Sequence, residues 1–598
     1  MIARMAKVFV AGRSEDRDPL LEALRDLGVV HLAAVEPAQA VPRPETSDAI
    51  DRTDRALQIL SGLEPAGPAP TVSAADAVAE TFQIQRQAAE TQSRLTALHR
   101  RILHLEPWGD VRIDQIESLR QAGVLPRFFT VPHNRVGEVR AELVHVLGPR
   151  PGRQVLVAVV DRAQEPTVPE GSTELPAPTE DRPALRKEAA RLDADLHRGA
   201  RRLAALAHSV PAIRKERARL QSQADWTVAS RSGRGDEHLY ALQGWVPEER
   251  AADLSASLEA AGLPAAVRSM PPSDEDEPPT LVRYPWWARP MEGLFKILGT
   301  VPGYREFDVS AAFMIALPIF SAILISDAGY GLIYLLLPIL FYRRLAARGA
   351  AALAQLIIII GACSVVWGLV TASLFGYDIS RWLGLSEPLI AVNMVKQNID
   401  FLMHMSILVG AIHLSAAHLW RAGAAFPRLE FLSEVGWSAF LWGIYGLVRA
   451  LLLKQPPTIA QFLDGNVYPY LLLVGGALAI FFAAPSRNPL KMVGLGLAKF
   501  PLSAIGTFGD TVSYVRLMAI GLAGSTLAMA FNDMGRSLPW FAMIPVLMAG
   551  HALNVALSII SLFAHGVRLN MLEFSNNLGM QWSGYPYEPF SKRLAKEN

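Results

Sequence analysis

Apolar and polar positions divide this chain into two unlike parts. After about residue 308, apolar stretches long enough to span a bilayer recur near 309–326, 327–342, 350–373, 398–420, 431–453, 466–485, 508–533 and 539–575. The last of them carries a polar stripe: His551, Asn554, Ser558, Ser561, His565 and Arg568, at spacings of 3, 4, 3, 4 and 3. That alternation sets all six on one helical face, with Val555, Leu557, Ile559, Ile560, Leu562 and Phe563 between them. The first two stretches abut at Ser326-Asp327-Ala328-Gly329-Tyr330-Gly331, whose glycines suit a tight reversal and whose Asp327 suits a helix cap. His413 and His418 read as structural residues of the 398–420 stretch.

The front part alternates differently. Met5–Ala11 and Val29–Leu32 have the period of strands and Asp18–Leu27 that of a helix. Two heptad seams follow, Ile84, Ala88, Leu95, Leu98, Ile102, Leu105 and then Leu185, Leu192, Leu196, Leu203, Leu206, Val210, Ile213, Leu220, with Pro211 as a kink in the second. Between them Arg127–Val131 and Val155–Val160 are strand candidates. After them Leu239–Pro247 and a helix over 248–261 resume the first lobe. The pattern predicts a soluble α+β module of two small lobes joined by a long antiparallel coiled-coil hairpin, rather than a parallel dimer. Behind it stands an α-helical polytopic membrane domain of about eight transmembrane helices, the last two long and tilted. The expected boundaries are 1–275 for the soluble module, 276–307 for an acidic, proline-ended linker and 308–598 for the membrane domain. Within the module they are about 1–45 and 230–270 for the proximal lobe, 46–109 and 181–228 for the arms, and 110–180 for the distal lobe.

Charge sharpens the division. Residues 308–598 hold 18 Lys/Arg and 13 Asp/Glu, so the front part nets −4 and the rear +5 behind an overall +1. The N-terminus has only a short apolar run, too brief for a signal-peptide core. The connections on the N-terminal side carry Arg343, Arg344, Arg348, Arg421, Arg428, Arg487, Lys491, Lys499, Lys592, Arg593 and Lys596; the opposite ends carry Arg381, Lys396, Arg449, Lys454 and Arg536. The excess puts the module and both termini in the cytoplasm. The single Cys363 excludes an internal disulfide framework. No zinc spacing, Walker loop or dinucleotide fingerprint is present, so no metal or cofactor site is expected and the charged surface is not read as a nucleic-acid site. The chemistry-bearing residue is Arg516, in Ser513-Tyr514-Val515-Arg516-Leu517 with about four turns of apolar residues after it. An arginine in that position costs at least about 2.5–3.5 kcal/mol and normally faces a partner or water. Glu573 lies five residues past Arg568, about 140° away round an α-helix.

Taken in order, these motifs resemble subunit I, also called subunit a, of the rotary V/A-type ATPases. The resemblance is carried by Gly244-Trp245-Val246-Pro247, Pro278-Pro279-Thr280, Arg289-Pro290-Met291-Glu292, Gly299–Tyr304, Phe307-Asp308, the Ser326–Gly331 reversal, Ser513–Leu517, Gly550-His551 with Asn554, His565–Leu569, Glu573-Phe574 and Tyr587–Phe590. Ser321 and Ser326 stand where the family usually has glycine, and Asn576-Asn577 where it has a lysine. Ser558 stands where eukaryotic relatives carry an acid, and Gly524 where some have histidine. The resemblance implies a non-catalytic membrane stator, with ATP chemistry on partner chains and a bacterial or archaeal plasma membrane as the host. It implies two offset half-channels for a proton or sodium ion beside a proteolipid ring (c/K/L), separated by Arg516 and served by Arg568, Glu573, His551, Asn554, Ser558, Ser561 and His565. Gly509, Ser513, Ala519 and Ala523 would let ring helices approach. Peripheral stalks (E/G) and a central-stalk cap subunit (C/d type) would be the soluble partners, with membrane lipid around the spans. The competing class is a self-sufficient secondary ion transporter with a cytoplasmic coiled coil. It would usually show an internal repeat and a broken-helix site, and neither is evident.

Overall fold

A computed structural model describes residues 1–109, 112–150, 152–161, 165–380, 384, 399–452, 467–485 and 488–592. Arg381, Lys396, Lys454, Arg487, Arg593 and Lys596 of the charge argument lie outside the described residues, as do the first residues of the distal lobe and of the 398–420 and 466–485 stretches. The chain forms two compact units, residues 34–234 and residues 1–33 with 235–590.

In the 34–234 unit, helices Pro44–Leu60 and Ala74–His104 are followed by a four-stranded antiparallel sheet, then by Arg182–Leu206 and Val210–Ser232. The sheet order is 143–150, 154–160, 127–132, 173–175, with Phe129 opposite Val157 at its centre. Ion pairs link Asp54 to Arg217 (3.0 Å), Glu80 to Arg202 (2.6 Å) and Glu180 to Arg101. As one partner's number rises the other's falls, so these helices run antiparallel. The first arm is two helices, because Gly62, Pro65, Gly67, Pro68 and Pro70 cannot sustain one and Ser73 caps the second. Pro211 sits in the first turn of its helix after a short 3₁₀ turn, a position that lacks an intrahelical N–H partner anyway.

In the other unit, strand Met5–Arg13 pairs antiparallel with Leu239–Pro247 on one side and Ala266–Met270 on the other, and His31–Ala33 extends the sheet beyond 239–247. The 266–270 strand was not evident from the sequence, because four of its five residues are exposed and no buried alternation marks it. Gly244 is required where the strands meet: a Cβ there would lie 2.7 Å from the His31 carbonyl oxygen. Lys7 and Ser273 hold the Asp276 carboxyl down at about 2, which fastens the linker to the first strand.

The apolar stretches form helices α1 (Ser310–Ile325), α2 (Ala328–Leu340), α3 (Ala351–Val370), α4 (Ile399–Ala425), α5 (Glu430–Leu452), α6 (Tyr468–Phe481), α7 (Pro489–Ser513), α8 (Val515–Arg536) and α9 (Trp540–Ser561). Among the described residues, five helical stretches are long and apolar enough to cross a membrane; α1, α2 and α6 are shorter apolar helices. The expected 508–533 span begins earlier. Helices α7 and α8 make one stretch of 48 residues, since Lys491 and Lys499 decorate an exposed helix instead of bounding it.

The reversal before α2 does not use its glycines. Ser326 takes the left-handed conformation (φ 50°) and Asp327 caps α2 by accepting from the Gly329 and Tyr330 amides. Gly331 instead lets α2 touch α3, where a Cβ would lie 2.7 Å from the Val365 amide nitrogen. Gly361 and Gly368 do the same from the α3 side.

After α9 the backbone becomes π-helical over Leu562–Val567 and Leu569–Phe574. Asn570 Nδ2 donates to the Gly566 carbonyl (3.0 Å), taking an acceptor that an α-helix would give to a backbone amide. The chain then turns at Gly579 and runs back as an extended tail. Glu306 accepts from the Gln581 and Trp582 amides, Thr280 and Tyr585–Tyr587 exchange backbone hydrogen bonds, and Phe590 N donates to the Val30 carbonyl (2.8 Å). His31 Nδ1 accepts from the Glu588 amide (3.1 Å), and burial pushes its pKa below 6.5. Burial outweighs the raising effect of neighbouring Glu588, and a protonated Nδ1 cannot accept from the amide, so the contact is stable above that value and weakens as pH falls through and below it. Corrected amide exchange at Glu588 and Phe590 should therefore accelerate on acidification below 6.5. His31→Asn, which keeps an acceptor but does not titrate, should abolish the dependence. Acid-independent exchange in the unmodified chain would contradict it.

Candidate functional site

Arg516 lies in the first turn of α8, just after Tyr514, the fully buried ring at the junction with α7. Tyr514 is wedged against Phe320, and its hydroxyl meets His413 Nδ1 at 2.6 Å. His413 in turn stacks on Phe574 at 4.4 Å, so the α7–α8 junction and the π-helical segment are packed together. Across that contact Arg516 Nη2 is 3.8 Å from Glu573 Oε1, and Arg568 Nε is 3.4 Å from the same oxygen. The Glu573 side chain is 3% exposed, those of Arg516 and Arg568 25% and 51%. The 140° separation expected for an α-helix is corrected by the π register. With hydrogen bonds running from i to i+5, residues five apart share a side much as i and i+4 do in an α-helix, and Glu573 reaches the side of Arg568. Two guanidiniums thus share one buried carboxylate, whose Oε2 has no partner among the described residues.

One polar network involves the stripe residues and α2. The Tyr330 hydroxyl lies 2.8 Å from His551 Nδ1 and accepts from Asn554 Nδ2 (3.0 Å), which also donates to the Gly524 carbonyl (2.9 Å). Asp327, buried below Tyr330, accepts from Ser373 Oγ and from the Phe375 and Gly376 amides as well as from its own helix. Its expected capping role is thus accompanied by the fastening of the loop after α3. Ser558 bonds back to the Asn554 carbonyl. Ser561 is half-buried, and His565 Nδ1 is buried without a partner among the described residues.

A second network was not foreseen. Arg421 Nε pairs with Glu434 Oε1 (3.2 Å), Glu434 Oε2 meets His418 Nδ1 (2.9 Å), and His418 Nε2 meets Asn577 Oδ1 (3.1 Å). Asn577 Nδ2 donates both to Asp510 Oδ2 (2.8 Å) and to the Glu573 carbonyl (2.6 Å). His418 and Glu434 are buried, and both ring nitrogens of His418 face oxygens. The chain therefore runs unbroken from half-exposed Arg421 to the backbone of Glu573. The signals were present singly: an acid six residues before Arg516, an acid at the start of an apolar stretch, and asparagine in place of a lysine. They come from four separate segments and only the fold joins them.

Gly509, Ala519 and Ala523 are exposed and Ser513 half-buried, so the small residues flank Arg516 on an open face of α7 and α8. A Cβ on Gly509 would meet nothing within 4 Å. Among the described residues no group of three or more His, Cys, Asp or Glu could hold a metal ion.

Replacing Asn554 tests the first network as structure. Asn554→Leu removes two hydrogen bonds of about 0.5–1.5 kcal/mol each, for a loss of about 1–3 kcal/mol. Thermal unfolding in detergent should show a lower midpoint; an unchanged midpoint would mean that the two bonds contribute nothing to the fold.

No family model matches the chain. It is similar to "V-type ATP synthase subunit I" of Borreliella burgdorferi, 27% identical over 630 residues, covering 99% of this chain and 100% of that one. It is similar to "V-type ATP synthase subunit I 1" of Treponema pallidum, 29% identical over 634 residues with the same coverage. "A-type ATP synthase subunit I" of Methanocaldococcus jannaschii is 24% identical over 60% of this chain and 56% of that one. A crystal structure of the cytoplasmic N-terminal domain of subunit I, homolog of subunit a, of V-ATPase covers 44% of this chain and all of that one, at 18% identity and a TM-score of 0.17, which carries no argument.

Proposed function

Because the chain is similar along its whole length to subunit I of V-type ATP synthases and, among its described residues, has five helical stretches long and apolar enough to cross a membrane, we propose that it is the ion-translocating stator of a rotary ATPase. In this reading it catalyses nothing itself. A ring of proteolipid subunits carries an ion-binding carboxylate past the open face of α7 and α8, and Arg516 meets it there. A guanidinium stays charged at every relevant pH. Beside a carboxylate it lowers that acid's pKa by about 1–3 units, so the ring site must release its ion before passing and reload after it.

The observation that carries the reading is the position of Arg516 between two separate polar networks. The Tyr330–His551–Asn554 network supports the outer half-channel, and the chain from Arg421 through Glu434, His418 and Asn577 to Asp510 supports the inner one. The arginine excess in the connections puts the inner side, with the soluble module and both termini, in the cytoplasm of a bacterial plasma membrane. Gly509, Ser513, Ala519 and Ala523 provide the smooth surface that close approach of a ring helix requires. The front module is the docking arm: its two lobes bind the peripheral stalks and the central-stalk cap, and its paired helices resist the lateral load of the turning ring.

Arg516→Ala should abolish ATP-coupled ion uptake in vesicles reconstituted with the assembled complex while leaving insertion and assembly largely intact. Arg516→Lys should also fail or be severely impaired, since the ammonium is compact, strongly hydrated and able to lose its proton when buried. Pumping by the alanine variant at the unmodified rate would refute the barrier role.

The docking arm is tested by deleting residues 110–180. The membrane domain should still insert, but ATP turnover should no longer be coupled to transport. Unchanged coupling would rule out docking through that lobe.

A further inference from the structure

The shared carboxylate raises a question that the barrier role of Arg516 leaves open. A permanently charged guanidinium within an apolar span normally faces a partner or water, and a passing ring site supplies a charged partner only intermittently. We propose that Glu573 is the resident counter-ion of Arg516, exchanged for the ring carboxylate at each passage; the idea rests on the reading of Arg516 as the residue the ring meets.

The geometry is that of a pair built to open. Arg516 Nη2 lies 3.8 Å from Glu573 Oε1, outside hydrogen-bond distance, and among the described residues its guanidinium donates no hydrogen bond. Its planar fork therefore remains available to a second carboxylate arriving on the open side, where the side chain is a quarter exposed. Glu573 is not left bare when Arg516 turns away, because Arg568 stays 3.4 Å from the same oxygen. The backbone that carries the carboxylate is held in place. Its segment is fixed by the His413–Phe574 stack, by the Asn577 bond to the Glu573 carbonyl, and by Ser575 Oγ on the Asn570 carbonyl. Its Oε2 is buried and unpartnered among the described residues, so the internal pairing is incomplete by design of the site.

Charge counting gives the consequence. Arg516, Arg568 and Glu573 together carry +1, and a ring carboxylate completes the site to zero. Without Glu573 the cluster carries +2 and holds the ring carboxylate too firmly as an anion. Without Arg568 it carries zero and attracts the ring only weakly. The other charged or titratable groups at the cluster are Asp510 from α7 and Tyr514 from the α7–α8 junction, which face Glu573, and His565, which faces the two arginines, with His418 beyond Asn577. They are common to every variant and leave the differences between variants unchanged.

The test measures, in vesicles reconstituted with the assembled complex, the concentration of coupling ion that half-saturates ATP-driven uptake. Glu573→Gln should raise it about tenfold, because reloading an over-stabilised anion needs more ion, equivalent to about one pH unit if the ion is a proton. Arg568→Gln should lower it, the opposite sign. A structural role for Glu573 would reduce yield or assembly in both variants without moving half-saturation in opposite directions. Half-saturation unchanged in Glu573→Gln, or shifted the same way in both, overturns the counter-ion. Should Glu573→Gln not assemble, Arg568→Gln alone decides: a lowered value supports the exchange, and an unchanged or raised one overturns it. An active Arg516→Ala would instead overturn the ring reading, so the two failures are told apart.

Discussion

The structure around α8 is organised by the need to neutralise Arg516 without binding it tightly. A buried carboxylate is costly unless paired, and Glu573, at 3% exposure, is tolerable only because two guanidiniums face one of its oxygens. Bringing Arg568 and Glu573 onto one face takes the π-helical register, and that register is tied to the Asn570 side chain on the Gly566 carbonyl. Holding the segment against α7 takes the Tyr514–His413–Phe574 stack. Fixing its end takes Glu306 on the Gln581 and Trp582 amides. Each of these contacts is local, and together they set a charge geometry that none of them contains.

The second polar network ends on the backbone of that cluster, and the two networks are built differently. The Tyr330–His551–Asn554 side is anchored by the buried Asp327, all of whose described donors are hydroxyls or backbone amides, so it is stiff. The Arg421–Asp510 side is a chain of ionisable groups and one amide, with an imidazole between two oxygens.

Much of this was legible in the sequence where the periodicity is regular. The stripe from His551 to Arg568 was readable because α9 keeps an α-helical period as far as Ser561. The strands at 5–13 and 239–247 alternate clearly enough to be placed, and those at 127–132 and 154–160 stand out as short apolar runs. What escaped did so for physical reasons. The π register follows from a side chain taking a backbone acceptor, which no hydrophobic period records. The second network joins α4, α5, α7 and the chain after α9, so its members looked like isolated boundary or structural residues. The glycines at 329 and 331 were given to a turn that Ser326 makes, while Gly331 serves a helix contact more than thirty residues away in sequence.

The central claim is that a ring helix passes over the face of α8 that bears Arg516. Disulfide cross-linking of the assembled complex measures that contact directly. With Cys363 replaced by serine, Ala519→Cys and Ala523→Cys, both on the exposed face, should each form a disulfide with a cysteine set beside the ring carboxylate. Ala528→Cys, at a buried position, should not. Assembled complexes in which neither exposed position cross-links to the ring would contradict the account.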